Sequence, residues 1–153
     1  MNIHFRLAWL KSGASVQKAF KEGSASSLFG EYTKRISQFA SCHVSGGLSR
    51  THAKEPRARV WICHRGKDSK TLSSEELATQ LSALHDSGIQ ELRIVIGGPD
   101  GFSEKDLVEW QPDLKWSFGP LTLPHELAAI VACEQIYRAF TILQGLPYHL
   151  KHS

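Results

Sequence analysis

The chain has 153 residues, 41% hydrophobic and 22% charged, an ordinary balance for one soluble domain with a buried core. No apolar run reaches the length of a membrane span, and the opening MNIHFRLAWLKSG carries charges inside its apolar part, so neither a membrane helix nor a signal peptide is expected. The net charge of +3 conceals a division: residues 1–70 hold 13 of the 18 Lys and Arg and 4 of the 15 acids, residues 71–153 the other 5 and 11.

A basic half of this kind points to a polyanion, nucleic acid ahead of a merely solvated surface, because the bases are spread over several elements instead of forming a tail. Three cysteines, Cys42, Cys63 and Cys133, are odd in number and without framework spacing, which suits a reducing cytosol.

In chain order, Ile3, Phe5, Leu7 and Trp9 alternate with polar or small neighbours and predict a half-buried strand. Helical pieces are expected near residues 14–22 and 28–39, broken around EGSASS by glycine and serines. SCHVSG reads as a short strand, GLSRTHAKEPRA as a basic loop, and RVWICH as a strand rich in β-branched and aromatic residues. SSEELATQLSALHDSG predicts an amphipathic helix: Ser73 and Glu76 have capping-box spacing, Leu77, Leu81 and Leu84 share a face, and Gly88 ends it. LRIVIGG, Leu92 to Gly98, is apolar on successive residues, hence covered on both faces and parallel to its neighbours. SEKDLVEW opens a helix capped by Ser103, LKWSF is a short strand, and PHELAAIVACEQIYRAFTILQG is a long helix with proline in its first turn.

This alternation predicts an α/β domain with a mostly parallel sheet flanked by helices. The last helix carries a stripe of Ala129, Ala132, Cys133, Ile136, Phe140 and Leu143, with Leu127, Ile130, Val131 and Tyr137 on other faces. It needs burial on more than one side, supplied either by a second subunit or by its own core.

In open α/β sheets ligands bind beyond the carboxyl ends of strands. Three such ends carry glycine: WICHRGKD, VIGGPDG and SFGPLTLPHE. None has GxGxxG or GK[ST] spacing, and Pro99 removes a donor, so a nucleotide gripped by its phosphates is disfavoured. A ligand held by main-chain groups of several loops, such as adenine, fits better, although Gly97–Gly101 also suits an ordinary turn. The adjacent pairs Cys42-His43 and Cys63-His64 lack zinc spacing, and no metal is expected. No G-x-S-x-G elbow supports a hydrolase. Cys63 has Arg65 and Lys67 close enough in sequence to favour a thiolate, but a structural thiol is the plainer reading. His125, opening the last helix, and His149, in the tail LPYHLKH, are the histidines best placed to act.

The run LSSEELATQLSALHDSGIQELRIVIGGPDGFS, then SFGPLTLPHELAAIVACEQIYRAFTILQGLPYH, resembles the ribosomal large-subunit pseudouridine N3-methyltransferases of the SPOUT superfamily. The likeness covers residues 58–149 and is visible in the opening strand and EYTKRISQFA. It implies a single α/β-knot domain over residues 1–153. Its C-terminal part would be tied in a trefoil knot, with knot and cofactor site within about residues 58–153 and the basic half in residues 1–70. It also implies a cytoplasmic homodimer joined through the helix at 124–143, without membrane contact. The cofactor implied is S-adenosyl-L-methionine, held by Ile62, Gly97, Gly98, Gly119, Pro120, Leu121, Thr122, Leu123 and Pro124. On this view the glycine turn is open so that the cofactor can lie against it.

The substrate implied is a pseudouridine of large-subunit ribosomal RNA on the assembled ribosome, methylated at N3. On the same resemblance His149 is the candidate base or substrate-positioning group, and Tyr148 would stack on or orient the target base. Arg138 either faces RNA or braces the helix ends. Arg50, Lys54, Arg57, Arg59, Arg65 and Lys67 are candidates for phosphate contacts. The chain departs from the family at Cys63, where aspartate is common, at Ala129, near a common arginine, at Leu150, and in a shortened segment between the second and third strands. Another RNA substrate such as transfer RNA, or a ribosome-binding module without catalysis, remain alternatives.

Overall fold

The computed structural model describes residues 1–47 and 55–151; Arg50 and Lys54 lie outside the described residues. Among the described residues six strands form one sheet: β1 (Asn2–Leu7), β2 (Cys42–Gly46), β3 (Ala58–Cys63), β4 (Lys70–Thr71), β5 (Glu91–Ile96) and β6 (Leu114–Ser117). Their order across the sheet is β2-β1-β5-β3-β6-β4, and every neighbouring pair is parallel. The helices described with them are α1 (Gly23–Ile36), α2 (Ser74–Asp86), α3 (Glu104–Trp110), α4 (His125–Leu143) and the single turn α5 (Tyr148–Lys151). The expected α/β architecture is present.

The register aligns the apolar positions into rows. Val44, Phe5, Ile94, Trp61 and Leu114 are successive partners across five strands on one face, which α1, α2 and α4 cover. Burial of each large side chain there contributes about 1.5–3 kcal/mol. On the opposite face Val60, Ile62 and Val95 make a smaller cluster with Trp110, joined by Phe102 and Leu107. β5 is therefore covered on both sides, as its unbroken apolar run requires.

Local signals fix several boundaries. The Ser73 hydroxyl accepts from the Glu76 N–H at the start of α2. Ser103 and Asp106 form a complete capping box on α3. Pro124 stands just before α4 as its cap, one residue earlier than the first-turn position read from sequence.

The first helical region differs from expectation. Residues 16–19 make only a 3-10 turn, and α1 begins at Gly23, inside the stretch expected to break it. Glycine and serine cost little in an exposed first turn, and the fully buried Phe29 and Ile36 pin the helix to the core. Phe29 packs edge-on against Phe5 at 6.1 Å and beside Phe20 at 5.2 Å.

α4 lies between α1 and α2, so its own chain supplies burial on two sides. Ala129, Ala132, Cys133, Ile136 and Ala139 are wholly buried, whereas Leu127 and Leu143 remain 44% and 42% exposed. Leu143 thus leaves the stripe to which its spacing assigned it. Among the described residues, no helix is long and apolar enough to cross a membrane.

Candidate functional site

β3, β6 and β5 run the same way through the middle of the sheet, so their carboxyl ends deliver three loops to one edge. A cleft of about 640 Å³ lies between them. Cys63, His64 and Arg65 line it from the first loop, Gly97, Gly98 and Phe102 from the second, and Ser117, Phe118 and Leu121–Pro124 from the third. His125 and Ala128 of α4 close the inner side. The volume and mixed lining suit a small-molecule ligand.

The glycines are needed for space. A Cβ on Gly97 would stand 3.0 Å from the Phe102 ring, and one on Gly98 would stand 3.3 Å from Cβ of Trp9. Trp9 cannot readily yield, because its indole N–H donates to the Ala19 carbonyl at 2.7 Å and its ring meets His125 edge-on at 4.5 Å. In the third loop Gly119 has φ +101°, a left-handed conformation that favours glycine, and its N–H donates to the Ser117 hydroxyl at 3.2 Å. The Arg65 guanidinium donates to the Pro120 carbonyl, tying the first loop to the third.

Of the sequence-derived cofactor residues, Gly97, Gly98, Leu121, Thr122, Leu123 and Pro124 line this cleft. Gly119 and Pro120 shape its third wall without lining it. Ile62 is wholly buried in the small cluster on the opposite face, one residue before the cleft-lining Cys63. No Asp or Glu is among the lining residues. Burial, with Lys115 adding to it, holds the His64 ring below its ordinary basicity. Burial pushes the Cys63 thiol up, which favours a structural thiol over a nucleophile. Among the described residues, no group of three or more His, Cys, Asp or Glu is placed to hold a metal ion.

Tyr148 and His149 are elsewhere. The Tyr148 hydroxyl donates to Glu134 Oε1 at 3.1 Å, and its ring packs on Tyr137 at 4.8 Å beneath the Arg138 guanidinium. His149 sets Nδ1 2.9 Å from Arg138 Nη1 and Nε2 2.6 Å from Glu75 Oε1. Arg138 is also paired with Glu134 through Nε at 2.9 Å and Nη2 at 2.8 Å. It therefore braces α4 to the tail. Ten residues of α4 separate Ala128, in the cleft, from Arg138, about 15 Å of helix. Within one chain, the cleft and the tail are separate.

Residues 14–149 match the family described as "Predicted SPOUT methyltransferase". The chain belongs to the SPOUT methyltransferase family. One relative is the ribosomal RNA large subunit methyltransferase H of Koribacter versatilis (strain Ellin345), 36% identical over 86% of this chain and 92% of the relative. The protein of the same name from Deinococcus radiodurans is 40% identical over 78% and 84%, and that from Streptococcus pneumoniae (strain CGSP14) 36% identical over 90% and 94%. A methyltransferase structure from Legionella pneumophila with bound SAM aligns at TM-score 0.44 and 14% identity, covering 91% of this chain and 66% of that one. That last likeness is too slight to add to the family assignment.

In this SPOUT methyltransferase the described basic candidates fall at opposite ends of the sheet. Arg65 and Lys67 are exposed beside the cleft. Arg57 and Arg59 border a second, polar hollow of about 750 Å³ near Asn2, His85 and Gln90, where β1, β3 and β5 begin. The six residues of β3 separate the two groups by about 20 Å. Sequence reasoning missed Phe102 as a cleft wall, Trp9 as the support behind Gly98 and His125, and Glu75 and Glu134 as partners of the tail. Trp9 signalled only a strand position, and Glu75 only a helix start.

Proposed function

We propose that this chain transfers a methyl group from S-adenosyl-L-methionine to N3 of a pseudouridine in large-subunit ribosomal RNA on the assembled ribosome, in the cytoplasm and as a homodimer. The observation that carries the reading is the convergence of three glycine-bearing strand ends on one cleft. The relatives named for large-subunit ribosomal RNA, alike over most of their length, support the same substrate.

The cleft suits the cofactor on its own terms. The positions where a side chain would collide are glycines, the walls mix apolar and polar groups, and the third loop offers main-chain groups on a left-handed Gly119 turn. Gly97, Gly98 and residues 119–124 would hold the adenosine part, with Arg65 fastening the loop. When bound, the cofactor supplies a methyl group on an electrophilic sulfonium, so the protein's main task is to orient the base and exclude water. Nothing among the cleft's lining residues is a carboxylate base.

The tail supports the homodimer. Tyr148 and His149 pack on Arg138, about 15 Å along α4 from Ala128 in their own cleft, so a role in the reaction requires the cleft of a second copy. Exposed Leu127 and Leu143 on α4 give that helix apolar surface for the contact. Arg57, Arg59, Arg65 and Lys67, with Arg50 and Lys54 of the same basic half, would meet RNA phosphates.

The experiment is methyl transfer from labelled S-adenosylmethionine to intact ribosomes, with isolated large subunits and bulk transfer RNA beside them. Label entering ribosomes preferentially is the expected result. Label in transfer RNA would overturn the substrate and keep the chemistry. Cofactor binding without label anywhere would favour a ribosome-binding module.

A further inference from the structure

We infer that Glu75 and Arg138 are positioning residues that fix His149 as a neutral ring with its proton on Nε2, so that His149 orients the tail and does not take the N3 proton. The inference rests on the preceding reading, that the tail serves methyl transfer.

The geometry determines the tautomer. A guanidinium only donates hydrogen bonds, so at 2.9 Å from Arg138 Nη1 the His149 Nδ1 must be the acceptor. The ring proton is then on Nε2 and is donated to Glu75 Oε1 at 2.6 Å. A second proton, on Nδ1, would face the Arg138 N–H and break that bond. Both nitrogens are therefore occupied, and neither offers a free lone pair to a substrate proton. Glu75 is suited to its part: it lies in the first turn of α2, where a carboxylate is favoured. The hydrogen bond from His149 is the main cause that holds its carboxyl below the usual range.

The arrangement is held from behind. Glu134 engages Arg138 through two nitrogens and accepts from the Tyr148 hydroxyl. One connected chain thus runs from α2 through the tail to α4: Glu75, His149, Arg138, Glu134, Tyr148. In this arrangement the N3 proton would pass to water as the N–CH3 bond forms, and the S–CH3 bond would break with its electron pair staying on the thioether sulfur.

The test uses the full chain. In ¹⁵N spectra with labelled histidine, the resonance lost in His149→Gln should show Nε2 protonated and Nδ1 as a bare acceptor. Glu75→Ala should leave a mixture of tautomers and lower turnover on ribosomes roughly tenfold, as expected for one lost hydrogen bond, with cofactor affinity unchanged. Glu75→Gln retains an acceptor oxygen and should recover most of the loss. Glu75 is 66% exposed, so these variants should fold. His149→Gln keeps an amide donor but no base, and should turn over within about tenfold of the parent, because loss of a true general base costs about 10²–10⁴-fold. A wild-type ring protonated on Nδ1, or a His149→Gln variant as inactive as His149→Ala, would overturn the inference. The spectra need no methyl acceptor, so a wild type silent on ribosomes would sink the proposed function while the tautomer still decided this one.

Discussion

The Arg65 guanidinium donates to the main-chain carbonyl of Pro120, two residues far apart in sequence that meet across the mouth of the cleft. Replacing Arg65 with alanine should free the loop at 119–124 and weaken S-adenosylmethionine binding roughly tenfold, the scale of one charge-assisted hydrogen bond. Titration calorimetry checks it. Had Arg65 served RNA phosphate alone, cofactor affinity would stay constant and only the salt dependence of ribosome binding would fall.

Gly98→Val should abolish cofactor binding while leaving the sheet intact. The new Cβ meets Trp9 at 3.3 Å, so the valine should displace the turn that lines the cleft. Circular dichroism should retain the parent spectrum as calorimetry loses its heat. Undiminished binding would remove the glycine turn from the cofactor site.

Trp110→Ala tests the smaller face of the sheet. Trp110 is 2% exposed, packs with Val60, Ile62 and Val95, and lies under the Arg6 guanidinium at 5.4 Å. Its removal should cost about 3–5 kcal/mol, read from the urea midpoint. A loss under about 1 kcal/mol would mean that α3 contributes little to stability.

Acid should destabilise the fold through His4. Desolvation by burial lowers its pKa, and Arg6, Arg93 and His43 act in the same direction against the opposing charge of Glu91. The unfolded chain takes up this proton at about pH 6.5, while the folded chain resists it. The unfolded state therefore binds more protons as pH falls below that point, and stability declines until the folded pKa is passed. His64, also depressed by burial, adds the same sign. The melting temperature should fall from pH 7.5 to 5.5, with a shallower slope in His4→Gln. A flat profile in the parent would refute this.

The strands of the central sheet, the caps at Ser73 and Ser103, and the three loops of the cleft were legible because each depends on local pattern. Apolar alternation, capping hydroxyls and glycines at strand ends mark themselves within a few residues. What was not legible depends on partners distant in sequence. β4 is two exposed residues, Lys70 and Thr71, held by pairing with Trp116 and Ser117. The start of α1 was hidden because its packing outweighs a poor helical sequence. The bond from His149 to Glu75 spans 74 positions, and no spacing rule connects them.

The strand that carries the glycine turn has a mechanical consequence. β5 is an inner strand, hydrogen-bonded to β1 from Asn2 to Leu7 and to β3 from Ala58 to Cys63, and it is covered on both faces. Its amides should be among the slowest in the chain to exchange with solvent, since opening them means pulling apart the middle of the sheet. The wall at 117–124 instead follows β6, whose outer neighbour is the two-residue β4. The loop after β6 should therefore exchange faster than β5, with the Arg65–Pro120 bond as its restraint. Any opening of the site should start on that side, while the glycines stay where β5 holds them.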